Sequence, residues 1–161
     1  MTGGPRVVVA GLGNEYRRDD GAGPAVMAKV GKEVGPADAV ELVGPLGDPL
    51  DLLGRWDGAD VAIVVDAFGP GASPGSLCVV ELASAGVARG AGAPSSTHGI
   101  GLAGVLRLAS ILGQAPARVV VVGIEGSDFG PGVGLSPPVT AALPDAARRV
   151  LDVIAENQSC A

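Results

Sequence analysis

The chain has 161 residues, 47% of them hydrophobic, a size and apolar content that fit one domain around one hydrophobic core and exclude a disordered chain. Its formal net charge of −6, with 11 scattered Lys and Arg, argues against a nucleic-acid surface, because phosphate binding needs clustered cations. No apolar stretch is long enough to cross a membrane, and residues 1–5 lack the charged start and apolar core of a secretory signal, so a cytoplasmic protein is expected.

In chain order, residues 6–11 form an unbroken Val-rich run, the pattern of a strand buried on both faces. A turn then carries Gly11-Leu12-Gly13-Asn14-Glu15 and the adjacent acids Asp19 and Asp20 into a helix-like pattern over 23–34. Residues 39–43 read as a weaker strand and 49–55 as a short helix. The run 61–67, which carries Asp66, and the run 77–82, with Cys78 as core filler, are further buried strands separated by the Gly/Pro-rich loop 69–75. His98, the only histidine, stands just ahead of a helix over 100–112. The last strand, 118–124, is followed by Glu125 and a second Gly/Pro-rich loop, 126–134. Ser136-Pro137 then signals a helix to about residue 156, which Pro144 should kink or split, and residues 157–161 read as a loose tail.

Strands alternating with helices predict a single domain, 1–161, folded as a three-layer αβα sandwich around a mostly parallel, twisted five-stranded sheet. Aromatics make up 2% of the chain, so Val, Leu, Ile and Ala must fill the core. The two cysteines lack CxxC or His-paired spacing, which suits a reducing compartment. Nothing in the pattern demands more than a monomer.

Three motifs fail on inspection. Gly11-x-Gly13 begins a dinucleotide fingerprint, but the third glycine falls on Tyr16, and Glu15, Asp19 and Asp20 would set like charge beside a pyrophosphate. Gly71-Ala72-Ser73-Pro74-Gly75 has the letters of a nucleophile elbow, yet Pro74 has no N–H for the oxyanion. Asp128-Phe129-Gly130 spells a kinase tripeptide with neither phosphate loop nor catalytic loop around it.

Ligands of open α/β sheets gather outside the carboxyl ends of the strands, where Asn14, Glu15, Asp19, Asp20, Asp66, His98 and Glu125 fall. A lone histidine is ordinarily a partly solvated helix-start residue. Asp66 changes that weighting, because a carboxylate emerging from a buried strand needs a partner or a function, unless it caps a loop amide. Of Asp19 and Asp20, one can cap the helix N-terminus, and the other is left over. Two carboxylates and one imidazole make an open site for a divalent transition metal. Without HExxH, paired cysteines or a second histidine, such a metal binds weakly or arrives on a partner.

At these residues the chain resembles the hydrogenase maturation endopeptidases, which remove a C-terminal extension from the large-subunit precursor of nickel-iron hydrogenases once nickel is inserted. The resemblance runs the length of the chain through Gly11-Leu12-Gly13-Asn14, Asp19-Asp20-Gly21-Ala22-Gly23, Val65-Asp66-Ala67, Thr97-His98-Gly99-Ile100-Gly101-Leu102, Gly123-Ile124-Glu125 and Gly134-Leu135-Ser136-Pro137. It implies an αβα sandwich and places the family's metal-contacting and catalytic acid, acid and histidine on Asp20, Asp66 and His98. It implies that the metal is nickel presented by the precursor, with no organic cofactor. Asn14 reads as a loop-fixing amide or a substrate contact, Asp19 and Gly99 are further candidate substrate contacts, and of the two acids Asp19 reads as the structural partner and Asp20 as the metal-facing carboxylate. Where many members carry an acidic residue and a Gly-Gly-Thr type segment, this chain has Gly44-Pro45-Leu46-Gly47-Asp48, a loop expected to choose the partner.

No Ser-His-Asp or Cys-His set can be assembled, so attack by water is favoured, with Asp20 or Asp66 as base and the substrate-borne metal polarising the bond or positioning the carboxylates. The competing readings are a non-catalytic nickel-checking chaperone or adaptor for the same precursor and, more remotely, a nucleotide-binding module.

Overall fold

The computed structural model describes residues 4–82, 88–89 and 101–159. One sheet runs in the order β2-β1-β3-β6-β4-β5, with β1 Val7–Leu12, β2 Val40–Leu46, β3 Val61–Phe68, β4 Leu77–Leu82, β5 Ala88–Arg89 and β6 Arg118–Glu125. β2, β1, β3 and β6 are parallel; β4 runs antiparallel to β6, and β5 antiparallel to β4. All five expected strands are present. The sixth, β5, has two residues and is too short to leave a periodic pattern.

Period-two alternation sends neighbouring strand residues to opposite faces and builds two cores. Val7, Val9, Ile63, Val65, Val120 and Val122 meet α1 (Ala22–Glu33) and α3 (Pro137–Ser159) on one side. Val8, Ala10, Ala62, Val64 and Val119 meet α2 (Gly101–Ile111) and a 3-10 turn over Pro49–Leu52 on the other. This is the three-layer sandwich. The centre is covered on both faces, with β1 wholly buried and β3 nearly so, whereas β4, expected as a buried strand, is only partly covered. β2 is mostly open to solvent, buried only at Val43 and Leu46, and Val79 of β4 is 46% exposed.

Several expectations change in physical detail. Pro144 does not split α3, which runs as one helix of 23 residues. Its missing N–H removes one backbone hydrogen bond, whereas Leu143, Ala146, Val150 and Ile154 hold the helix on the sheet through buried apolar area. α3 also extends to Ser159, so 157–159 are helix rather than tail; Gln158 Nε2 donates to the Asp38 carbonyl at 2.6 Å. The expected helix over 49–55 shrinks to the 3-10 turn, whose start is capped by Asp48 Oδ1 accepting from Leu50 N at 2.9 Å. Trp56, the single tryptophan, is fully buried in the α2-side core, so one ring matters more than the aromatic content suggested. No helix among the described residues is long and apolar enough to cross a membrane.

Candidate active site at the carboxyl edge of the sheet

β1 leaves the sheet at Leu12 and enters a turn that returns over itself before α1. Gly13 has φ +126°, and a Cβ there would collide with the Asp20 carbonyl oxygen. A Cβ on Gly23 would likewise strike the carbonyl oxygens of Leu12 and Val65. Gly13, part of the apparent nucleotide fingerprint, and Gly23 are therefore required by close backbone packing between β1, β3 and the helix start.

Within this turn the two adjacent acids part company. Asp19 is fully buried and its side chain holds three segments together. Its Oδ1 accepts from Ser136 N at 2.7 Å; its Oδ2 accepts from Ser127 N at 2.8 Å, Asp128 N at 3.1 Å and the Ser136 hydroxyl at 2.9 Å. Burial alone raises its pKa, but the amides of Ser136, Ser127 and Asp128 and the Ser136 hydroxyl outweigh burial and hold the carboxyl below its ordinary value. Asp19 ties the first turn to loop 126–134 and to the start of α3, the structural place that the sequence reading gave it. Sequence reasoning saw Ser136 only as a helix start and missed Ser127, because nothing local to either residue marks a partner more than a hundred positions away.

Asp20, 1% exposed, accepts from Asn14 N at 2.9 Å through Oδ2. It lines a cleft of about 340 Å³ together with Asn14, Tyr16, Arg17, Pro45 and Gly47. The divergent segment 44–48, expected as a loop, has residues 44–46 in β2, paired to β1 through Leu46 and Leu12, and it shares one cleft with the carboxylate. Asn14 fixes the turn, its Oδ1 accepting from Tyr16 N at 2.9 Å, while remaining exposed on the cleft.

Asp66 lies near the end of β3, 6% exposed, with Oδ1 accepting from Ala67 N at 2.8 Å. It is the one charged side chain, among the described residues, in an apolar cleft with Phe68, Val80, Leu82 and Leu102. Gly101 and Ala103, at the start of α2, line the same cleft, and the chain enters α2 from His98 a few residues upstream. The turn Arg18–Gly21 packs against β3, which brings the Asp20 and Asp66 segments together. His98 and Gly99 lie outside the described residues. Among the described residues no three His, Cys, Asp or Glu gather as a metal site; the oxygen donors of the expected trio are Asp20 and Asp66.

Glu125 is not part of either cleft. Its side chain lies against Gly71, where a Cβ would collide with Oε1, and its backbone carbonyl accepts from Gly75 N at 2.7 Å. It therefore supports loop 69–75.

This geometry can be set beside known proteins. Residues 24–153 match the family model described as hydrogenase maturation protease. The hydrogenase expression/formation protein HoxM of Azotobacter vinelandii is 32% identical over 157 residues, spanning 95% of this chain and 74% of that protein. The hydrogenase 2 maturation protease of Escherichia coli is 28% identical over 159 residues, spanning 94% and 92%. Among solved structures, the E. coli hydrogenase maturating endopeptidase HybD superposes with a TM-score of 0.77 at 27% identity, covering 94% of this chain and 93% of that one.

Proposed function

The chain belongs to the hydrogenase maturation protease family, and from that premise we propose that it removes the C-terminal extension of a nickel-iron hydrogenase large-subunit precursor after nickel insertion, acting as a cytoplasmic monomer. The observation that carries the reading is the pair of buried carboxylates, Asp20 and Asp66, on packed segments at the carboxyl edge of the sheet, each facing a cleft. Nickel is part of the substrate. It comes with the precursor and is read by Asp20, Asp66 and His98, so that only a loaded precursor is aligned for cutting. A carboxylate that is buried near a cation stays ionised and can orient a water molecule or accept its proton. Water attacks the carbonyl carbon of the scissile bond, the C–N bond breaks, and the proton passes to the leaving amine. Asn14 and Gly99 contact the substrate beside this trio.

The test is a gel assay with matched nickel-loaded and nickel-free precursors. A shorter band and a released peptide are expected from the loaded precursor alone. No cleavage of either overturns the proteolytic reading, and equal cleavage of both overturns nickel recognition. The adaptor reading draws on one observation, that Pro45 and Gly47 of the divergent segment 44–48 line the Asp20 cleft. It predicts loaded precursor bound and left uncut.

A further inference from the structure

We infer that Arg17, presented beside Asp20 together with Tyr16, anchors the substrate by pairing with an acidic side chain in the extended segment that flanks the cut bond. The inference rests on the processing reading above and names the chemistry that the same site recognises.

Arg17 and Tyr16 line the cleft that holds Asp20, with Pro24 and Pro45 as further walls. Their backbone is pinned from several sides. Arg17 N donates to the Asn14 carbonyl at 3.0 Å, and the Arg17 carbonyl accepts from Asp20 N at 3.1 Å. The Tyr16 carbonyl accepts from Gly132 N at 2.9 Å, and Arg17 forms a parallel bridge with Gly132. A fixed backbone sets where both side chains begin and lowers the ordering cost of binding.

The side chains themselves remain outward. Tyr16 is 65% exposed, a large ring left in solvent at the mouth of a cleft. Arg18 is paired with Asp128 at 3.4 Å, whereas no carboxylate among the described residues pairs with Arg17. Two adjacent arginines are thus divided: one ties the loop, and the other is left for a ligand. Glu15 lines the same cleft, so the region is not a diffuse cationic patch; what it offers an anion is one planar guanidinium fork, the geometry suited to a single carboxylate. Tyr16 and the two prolines supply rigid apolar walls for the neighbouring side chains of an extended peptide.

Arg17 touches the substrate away from the reacting bond, so its loss acts on KM and leaves kcat nearly unchanged. Arg17→Ala should raise KM for loaded precursor about five- to tenfold, and Arg17→Glu further, with both variants melting like the parent because Arg17 is exposed. In a set of precursors with each acid near the cut changed in turn to Lys, one change should restore KM for Arg17→Glu. Affinity for loaded precursor, measured separately by surface plasmon resonance, should fall in parallel. Unchanged KM and unchanged affinity in Arg17→Glu, or no rescue by any Lys change, overturn the inference. Arg17-dependent binding without any cleavage sinks the proteolytic reading instead and leaves the anchor standing.

Discussion

Asp19 and Asp20 are neighbours in the chain and equally hidden from solvent, yet they belong to two different regions of the molecule. Asp19 stands among inward donors: amides and hydroxyls of Ser127, Asp128 and Ser136 converge on its two oxygens. Asp20 stands at a cleft bordered by Tyr16, Arg17, Pro45 and Gly47. An acid surrounded by the fold's own donors is part of the frame; an acid buried at the edge of a cleft is placed to meet something from outside.

That contrast can be broken by substitution, and the largest expected effect falls on the cleft side. Asp20→Asn and Asp66→Asn should each slow processing by about a thousandfold or more in the gel assay, with thermal melting close to the parent. Full cleavage by either variant would remove that carboxylate from the chemistry. His98→Ala should also stop processing.

On the frame side the effects reverse. Asp19→Ala leaves several buried donors unpaired and should cost about 3 kcal/mol, which for a chain of this size lowers Tm by about 6–12 °C. A melt within a degree or two of the parent would show that the staple contributes little.

The pH dependence of stability sharpens the same comparison. The Asp19 carboxyl is held below its ordinary value of 3.8, so its stabilisation is complete above that value and is lost as pH falls through the lower folded value. Acid titration of Tm should show the parent losing stability below about pH 4 more steeply than Asp19→Asn. Parallel acid limbs would contradict the assignment.

The smallest effect serves as a control away from both regions. Glu81 pairs with Arg118 at 2.9 Å across half-exposed surface, and Glu81→Gln should change stability by no more than about 0.5 kcal/mol with normal processing.

Much of the architecture is legible in single residues. Val7 to Ala10 and Val61 to Val65 read as central strands because a strand covered on both faces has no polar alternation to interrupt it. The direction of β4 was not legible, since a residue pattern carries period and burial but no sign of orientation. That α3 is not split at Pro144 was illegible for a related reason: the local rule counts the lost hydrogen bond, and the packing of α3 on the sheet is not local. Of the site, Asp66 stood out as an acid near the end of a strand and Asp20 as one of two adjacent acids at a helix start. Arg17 did not, because an arginine in a turn looks the same whether or not a neighbouring carboxylate claims it.

The sequence by itself determined the layers, the family and the short set of acids worth weighing, because strand period, glycine placement and buried charge are written locally. Only the tertiary structure decided what makes Asp19, already read as the structural acid of the pair, part of the frame: donors from Ser127 and Ser136, more than a hundred positions away, reach it through folding alone.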